Sequence, residues 1–182
     1  PVNESTPCNP TTIYGTNRLS SEYFCKIYHE VYGLNTNVFR ITNSYGPREQ
    51  TIAKKNAVNF LIYQAFKAKK INIYNRGKFF KDFIFIDDVI AGINTILKKG
   101  KSGELYWISS GQKILLKSFA KILKKYTNCK ISYPITPEYT KKVDVGNFIV
   151  DNSKLKSLGW KPKSSLGLGI QKTLKYLEIE NL

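Results

Sequence analysis

Apolar and polar residues alternate along the chain in stretches of two different periods. From Thr12 to Tyr32 the charged residues Glu22, Lys26 and Glu30 recur every four positions and Gly33 supplies a stop, which predicts a helix. Asn37 to Thr42 reads as a strand, and Asn43 to Lys55, opening on Tyr45-Gly46-Pro47, as a long loop. A helix over Asn56 to Ala68, a strand over Ile71 to Tyr74, a turn at Asn75 to Lys78 and an apolar strand over Phe83 to Ile86 follow. Asp87 and Asp88 are expected to cap a helix reaching Leu97, because carboxylates favour the positive end of a helix dipole. Strand Glu104 to Ile108, helix Ser118 to Tyr126, strand Lys130 to Tyr133, a loop over Pro134 to Gly146, and helices Ser153 to Leu158 and Leu166 to Leu177 complete the pattern. Residues 1 to 11, with Pro1, Pro7 and Pro10, read as irregular.

Strands alternating with helices predict an α/β fold with parallel pairing. A parallel sheet is covered on both faces, so one that opens here with a loop and a helix implies earlier strands. The lack of any methionine and the start at Pro1 lead to the expectation of a fragment or processed piece. No G-x-G-x-x-G occurs, so a dinucleotide pyrophosphate cradle is not expected within these residues.

Charge narrows the function less than its size implies. The chain carries 29 Lys+Arg against 13 Asp+Glu, a net +16. An excess of that sign suits an anionic partner such as a nucleotide or phosphate. Most of it is scattered lysine near helix ends, which reads as a solvated surface before it reads as a nucleic-acid footprint. Cys8, Cys25 and Cys129 form no C-x-x-C pair and His29 is the only histidine, so a disulfide framework, a zinc site or a Ser-His-Asp triad has little to be built from. No apolar run approaches the roughly 20 residues of a membrane span, and the expectation is a reduced, soluble, cytoplasmic protein with no metal.

The chemistry sits in Y-G-T-N-R. Tyr14 and Arg18, four residues apart, fall on one helical face, where a cation favours the phenolate form that a general base needs. Six segments then resemble, in order, one known family: P-x-x-x-Y-G-x-x-[K/R], R-I-T-N-S-Y-G-P-R, I-N-I-Y, K-D-F-I-F-I-D-D-V, G-E-L-Y-W-I-S-S-G and D-N-S-K-L-K-S-L-G-W-K-P. The chain is similar to the second half of the extended short-chain dehydrogenase/reductases, the NAD-dependent nucleotide-sugar epimerases and dehydratases.

The resemblance implies a partial Rossmann-like parallel sheet with helices plus a smaller C-terminal substrate-binding subdomain. Residues 1–55 would be the remainder of the dinucleotide-binding domain and 56–182 mainly the substrate-binding subdomain, interleaved with the sheet. It implies Tyr14 as catalytic base or acid and, with Arg18 in the position of the family's lysine, as a contact to the nicotinamide ribose of NAD, with NADP the alternative. Arginine keeps the charge but reaches hydroxyls with a planar fork. Asn43, Asn56, Tyr74, Lys81, Lys141 and Asp144 would contact the nucleotide-diphosphate sugar, with lysine standing at Lys81 and Lys141 where the family carries arginine. Asn75-Arg76-Gly77 replaces the family's Gly-Asp-Gly, so Arg76 could add charge there.

The function implied is that of a UDP-sugar 4-epimerase-like enzyme, with a 4,6-dehydratase, a reductase or a non-catalytic nucleotide-sugar binder as alternatives. The isolated piece is expected to be inactive. The full-length protein is expected to be a homodimer built on the tyrosine-bearing helix (Leu19, Tyr23, Ile27), with no nucleic-acid or membrane partner. Read without the resemblance, Tyr14 is a packing aromatic, Arg18, Lys81 and Lys141 are surface cations, Asn43 and Asn56 are caps, Tyr74 is a strand aromatic, and Trp107 and Trp160 are core.

Overall fold

Thr12 turns the chain from extended to helical: its hydroxyl accepts the Gly15 N–H at 3.0 Å, and α1 runs Ile13–Glu30. The computed structural model describes residues 1–49, 57–138 and 146–180. After α1 come β1 (Val38–Ile41), β2 (Asn43–Tyr45), α2 (Ala57–Lys67), β3 (Lys70–Asn72), a 3-10 turn (Tyr74–Gly77), β4 (Phe80–Lys81), β5 (Phe83–Phe85) and α3 (Ile86–Lys99). The chain continues through β6 (Leu105–Ile108), β7 (Ile114–Leu115), α4 (Leu116–Thr127), β8 (Lys130–Ser132), α5 (Ser153–Ser157) and α6 (Leu166–Ile179).

β1 pairs with β6, β2 with β5 and β3 with β8, each as a parallel two-stranded piece, and β4 pairs with β7 antiparallel. The expected α/β fold with parallel pairing is what forms. Residue 42 is where the chain changes partner: the Thr42 N–H still bonds Ile108 O, whereas the Asn43 N–H bonds Asp82 O, both at 3.2 Å. The expected loop from Asn43 is therefore a second short strand. Two- and three-residue strands are too brief to show a period of two, which is why β2, β4 and β7 were invisible in the pattern.

The apolar faces meet in two clusters. One gathers Ile62, Ile71, Phe83, Phe119, Leu123 and Ile170 between α2, α4, α6 and the strands, with Phe83 and Phe119 stacked at 5.1 Å. The other gathers Ile84, Val89, Ile96, Ile108, Leu155 and Trp160 under α3 and α5. No residue of α1 is buried.

Asp87 and Asp88 sit at the start of a helix as expected, but neither caps it. α3 begins at Ile86 with Phe85 as N-cap, so both carboxylates lie in its first turn. The Asp88 carboxylate accepts the Lys163 and Ser164 N–H groups at 2.9 Å each, and Asp87 pairs with Lys172 at 2.8 Å. Asp88 fastens the segment before α6 to α3 by satisfying distant backbone donors, and Asp87 ties α6 itself to α3 through the Lys172 ammonium.

Candidate active site

Tyr14 and Arg18 come together on α1 as the four-residue spacing requires, with the guanidinium carbon 5.1 Å from the centre of the Tyr14 ring. The cation lies over the ring face, and Tyr14 is 68% exposed. What aims this exposed helix is Arg40 on β1, whose fork donates to both Glu22 oxygens, Nε to Oε1 at 2.7 Å and Nη2 to Oε2 at 2.5 Å. The pair raises the Arg40 pKa, chiefly through the Glu22 hydrogen bonds.

A cavity of about 610 Å³ opens between α1 and β1, lined among others by Tyr14, Arg18, Phe39, Ile41 and Trp107. Trp107, expected in the core, stands half-buried at this wall through the register Arg40↔Trp107, its ring centre 5.4 Å from the Arg40 guanidinium carbon and 5.8 Å from the Phe148 ring centre. Its indole Nε1 is buried without a partner among the described residues. The signal was the alternation in Leu105-Tyr-Trp-Ile, where Tyr106 and Ile108 face the core and Trp107 the other side.

A second cavity, about 460 Å³, brings Asn43, Tyr74 and Lys81 together, with Gln64, Phe79 and Phe83 also in its wall. Three of the six residues assigned to substrate thus share one hollow. The Lys81 ammonium donates to Gly146 O at 2.6 Å and lies 5.5 Å from the Phe79 ring centre. Asn56, Lys141 and Asp144 lie outside the described residues. The cavities share no residue, but Ile41 lines one and Asn43, two positions along, lines the other. Directly after Tyr74 in the chain, Asn75 and Arg76 both take left-handed backbone angles, with φ 49° each.

One residue the motif reading passed over holds this region: Asp82, wholly buried. Its Oδ1 accepts from Ser110 N at 3.0 Å, Ser110 Oγ at 2.8 Å and Thr42 Oγ1 at 3.3 Å, and its Oδ2 from Gly111 N at 3.0 Å. Burial pushes its carboxyl above the usual range, against the pull of the Ser110 and Gly111 bonds. Tyr45, also in the motif, is buried with its hydroxyl donating to Leu166 O at 3.3 Å; burial first, then the Asp88 charge, raises it far above the ordinary tyrosine range, so it is no candidate base.

An open phenol and guanidinium beside an aromatic and aliphatic wall are a donor set that fits ribose hydroxyls and a flat ring, as a nicotinamide nucleoside presents. Among the described residues no group of three His, Cys, Asp or Glu could hold a metal, and no helix is long and apolar enough to cross a membrane.

Comparison with known proteins agrees over nearly the whole length. The family model described as GDP-mannose 4,6 dehydratase matches residues 1–173. The dTDP-glucose 4,6-dehydratase 1 of Escherichia coli is 26% identical over 95% of this chain and 49% of its own length. The crystal structure of a UDP-glucose 4-epimerase with UDP-glucose from Thermotoga maritima superposes with a TM-score of 0.89 at 26% identity, covering all of this chain and 58% of that one. A dTDP-glucose 4,6-dehydratase from Bacillus anthracis in complex with NAD has the same fold, with a TM-score of 0.83 at 23% identity over 98% of this chain and 56% of that one. The chain spans about half the length of the curated relatives it matches. The ordered motifs and the family match over residues 1–173 therefore place this chain in the extended short-chain dehydrogenase/reductases, among the NAD-dependent nucleotide-sugar epimerases and dehydratases.

Proposed function

We propose that the whole protein is an NAD-dependent nucleotide-sugar epimerase of the UDP-sugar 4-epimerase kind, to which this chain contributes the catalytic helix and most of the sugar-nucleotide site. The observation that carries the reading is the pairing of Tyr14 with Arg18 at one cavity, beside a second cavity holding Asn43, Tyr74 and Lys81. Tyr14 takes the proton from a sugar hydroxyl as general base and returns it in the reverse sense. Arg18 supplies the permanent positive charge beside the phenol and, with the Tyr14 hydroxyl, holds the nicotinamide ribose. Bound NAD supplies the hydride chemistry. Lys81 holds the diphosphate as a point charge, Tyr74 lies against the base, and Asn43 fixes the sugar nucleotide. Asn56, Lys141 and Asp144 complete the substrate set.

In this reading residues 1–55 finish the dinucleotide-binding domain and 56–182 form mainly the substrate subdomain. The chain by itself is inactive, because no dinucleotide loop lies within it. The protein acts in the cytoplasm as a homodimer, with the exposed apolar stripe of α1 as the contact: Tyr23, Phe24, Ile27 and Val31.

The test is turnover by the full-length protein loaded with NAD, offered UDP-glucose, dTDP-glucose and GDP-mannose, with products read by NMR. An epimerised hexose is expected from wild type. In Tyr14→Phe, kcat falls by about 10²- to 10⁴-fold with unchanged melting. A 4-keto-6-deoxy product would replace epimerase with dehydratase, and full activity of Tyr14→Phe would end the assignment of the base.

A further inference from the structure

Two helix–turn–strand units lie side by side, α2 running into β3 and α4 into β8. Each turns through a left-handed residue, Lys69 at φ 51° and Asn128 at φ 54°, and the strands then pair in parallel with Lys70 opposite Lys130. Lys67 stands in the last turn of α2, and Lys124 and Lys125 in the last turn of α4. Lys67, Lys69, Lys70, Lys124, Lys125 and Lys130, all exposed, therefore share one end of the paired units. Along the sequence these lysines are scattered and imply no membrane partner; they gather only once β3 pairs with β8.

Little in the chain offsets them. The sequence holds no Asp or Glu from Ala57 to Lys81 or from Leu105 to Pro137. Among the described residues none of the six ammonium groups pairs with a carboxylate, including Glu178 and Glu180 at the end of α6. The helix dipoles favour Lys67, Lys124 and Lys125. Lys70 and Lys130 are strand residues set directly against each other, where charges of one sign destabilise the ladder. Lys69 holds a backbone conformation that glycine or asparagine adopts at less cost.

We propose that this end docks the protein on a membrane surface of anionic lipid headgroups, with the six lysines as a peripheral electrostatic contact. Such docking needs no apolar span, only long cationic side chains that meet diffuse negative charge. Lys69 and Lys125 lie over the rings of Phe66 and Tyr126, at 5.6 and 5.8 Å, so aromatic surface accompanies the charge as at a headgroup boundary. A nucleic-acid duplex is read by arginine forks and side-chain amides placed in a groove. The cations here are lysine alone, and α2 and α4 present their C-termini, whose carbonyls repel a phosphate brought close. Neither cavity described above includes any of the six lysines. Tyr74 lies past the far end of β3, so the hollow it lines stays open when this end is docked. The proposal is independent of the nucleotide-sugar reading.

The test is co-sedimentation of the full-length protein with vesicles of phosphatidylcholine alone or mixed with phosphatidylserine, at low and high salt. Wild type is expected to bind only the mixed vesicles and to leave them at high salt. Lys69→Gln/Lys70→Gln/Lys124→Gln/Lys125→Gln should weaken that binding about 100-fold. A control of equal net charge, Lys98→Gln/Lys156→Gln/Lys161→Gln/Lys163→Gln, alters exposed lysines elsewhere and should stay within about threefold of wild type. The first variant should melt no lower than wild type, since it relieves repulsion between charges of one sign. If it does melt lower, the two pairs are tested separately, Lys69→Gln/Lys70→Gln and Lys124→Gln/Lys125→Gln, each expected to weaken binding about tenfold.

Failure of wild type to bind the mixed vesicles would overturn the proposal. So would equal weakening in the control, which would mean net charge without a docking surface, or unweakened binding in both folded pairs. Duplex DNA is titrated in parallel by fluorescence anisotropy: tight binding that the first variant loses, with no vesicle binding, would assign the surface to nucleic acid instead.

Discussion

Arg40 and Glu22 meet end to end through two hydrogen bonds of 2.7 and 2.5 Å, and this pair clamps a helix that buries none of its own residues onto the strand beside it. Both side chains are mostly shielded, at 16% and 21% exposure, so losing one leaves a charge uncompensated. Arg40→Met or Glu22→Gln should lower stability by about 2–3 kcal/mol in urea unfolding. The double variant Arg40→Met/Glu22→Met should recover part of the loss. Additive losses would show that each residue acts through something other than its partner.

Acid exposes a second ion pair. The Lys154 ammonium, 2.7 Å from Glu104, holds the Glu104 carboxyl below its ordinary value of 4.5, by the hydrogen bond first and charge second. The folded state therefore binds this proton less readily than the unfolded chain. The stability from Glu104 is complete above about pH 4.5 and is lost as pH falls through the lower folded value. Because the side chain is 37% exposed, solvent screening limits the effect to about 0.5–1 kcal/mol. In Lys154→Met, unfolding followed from pH 6 to 3 should lack that portion of the slope; an unchanged slope would refute the assignment.

Gly77 closes the turn under Tyr74. It has φ 64°, and a Cβ on it would stand 2.6 Å from the Lys117 backbone nitrogen, a contact no side-chain rotation relieves. Gly77→Ala should cost about 2 kcal/mol or more and weaken nucleotide-sugar binding by displacing the Tyr74 turn. A thermal melt within 1 °C of wild type would contradict both statements.

The outward stripe of α1 tests the dimer. Phe24 and Val31 are 62% and 69% exposed with Ile27 between them. Ile27→Glu in the full-length protein should shift sedimentation from dimer toward monomer while leaving secondary structure intact, since Ile27 is about half exposed and no residue of α1 is buried. A wild-type monomer would refute the proposed dimer, and an unaltered dimer in the variant would place the interface elsewhere.

Much of the fold was readable in advance because it follows from local periodicity. The four-residue recurrence in α1, the apolar runs of β1 and β5 and the Gly33 stop need no distant partner to be recognised. Tyr14 and Arg18 were legible for the same reason, as neighbours one helical turn apart. Trp107, Asp82 and the Asp88 ties were not. Their roles depend on the strand register Arg40↔Trp107, the bonds from Ser110 and Gly111 to Asp82, and those from residues 163 and 164 to Asp88, all between residues remote in the chain.

What sequence alone determined is the order of helices and strands, the family motifs, and the face on which the phenol and guanidinium sit, because each is set by residues within a few positions of one another. Tertiary structure decided the partner change at Thr42 and the gathering of Asn43, Tyr74 and Lys81 into one hollow. Those depend on which buried donor finds which acceptor across the sheet, a choice that exists only once the strands have paired.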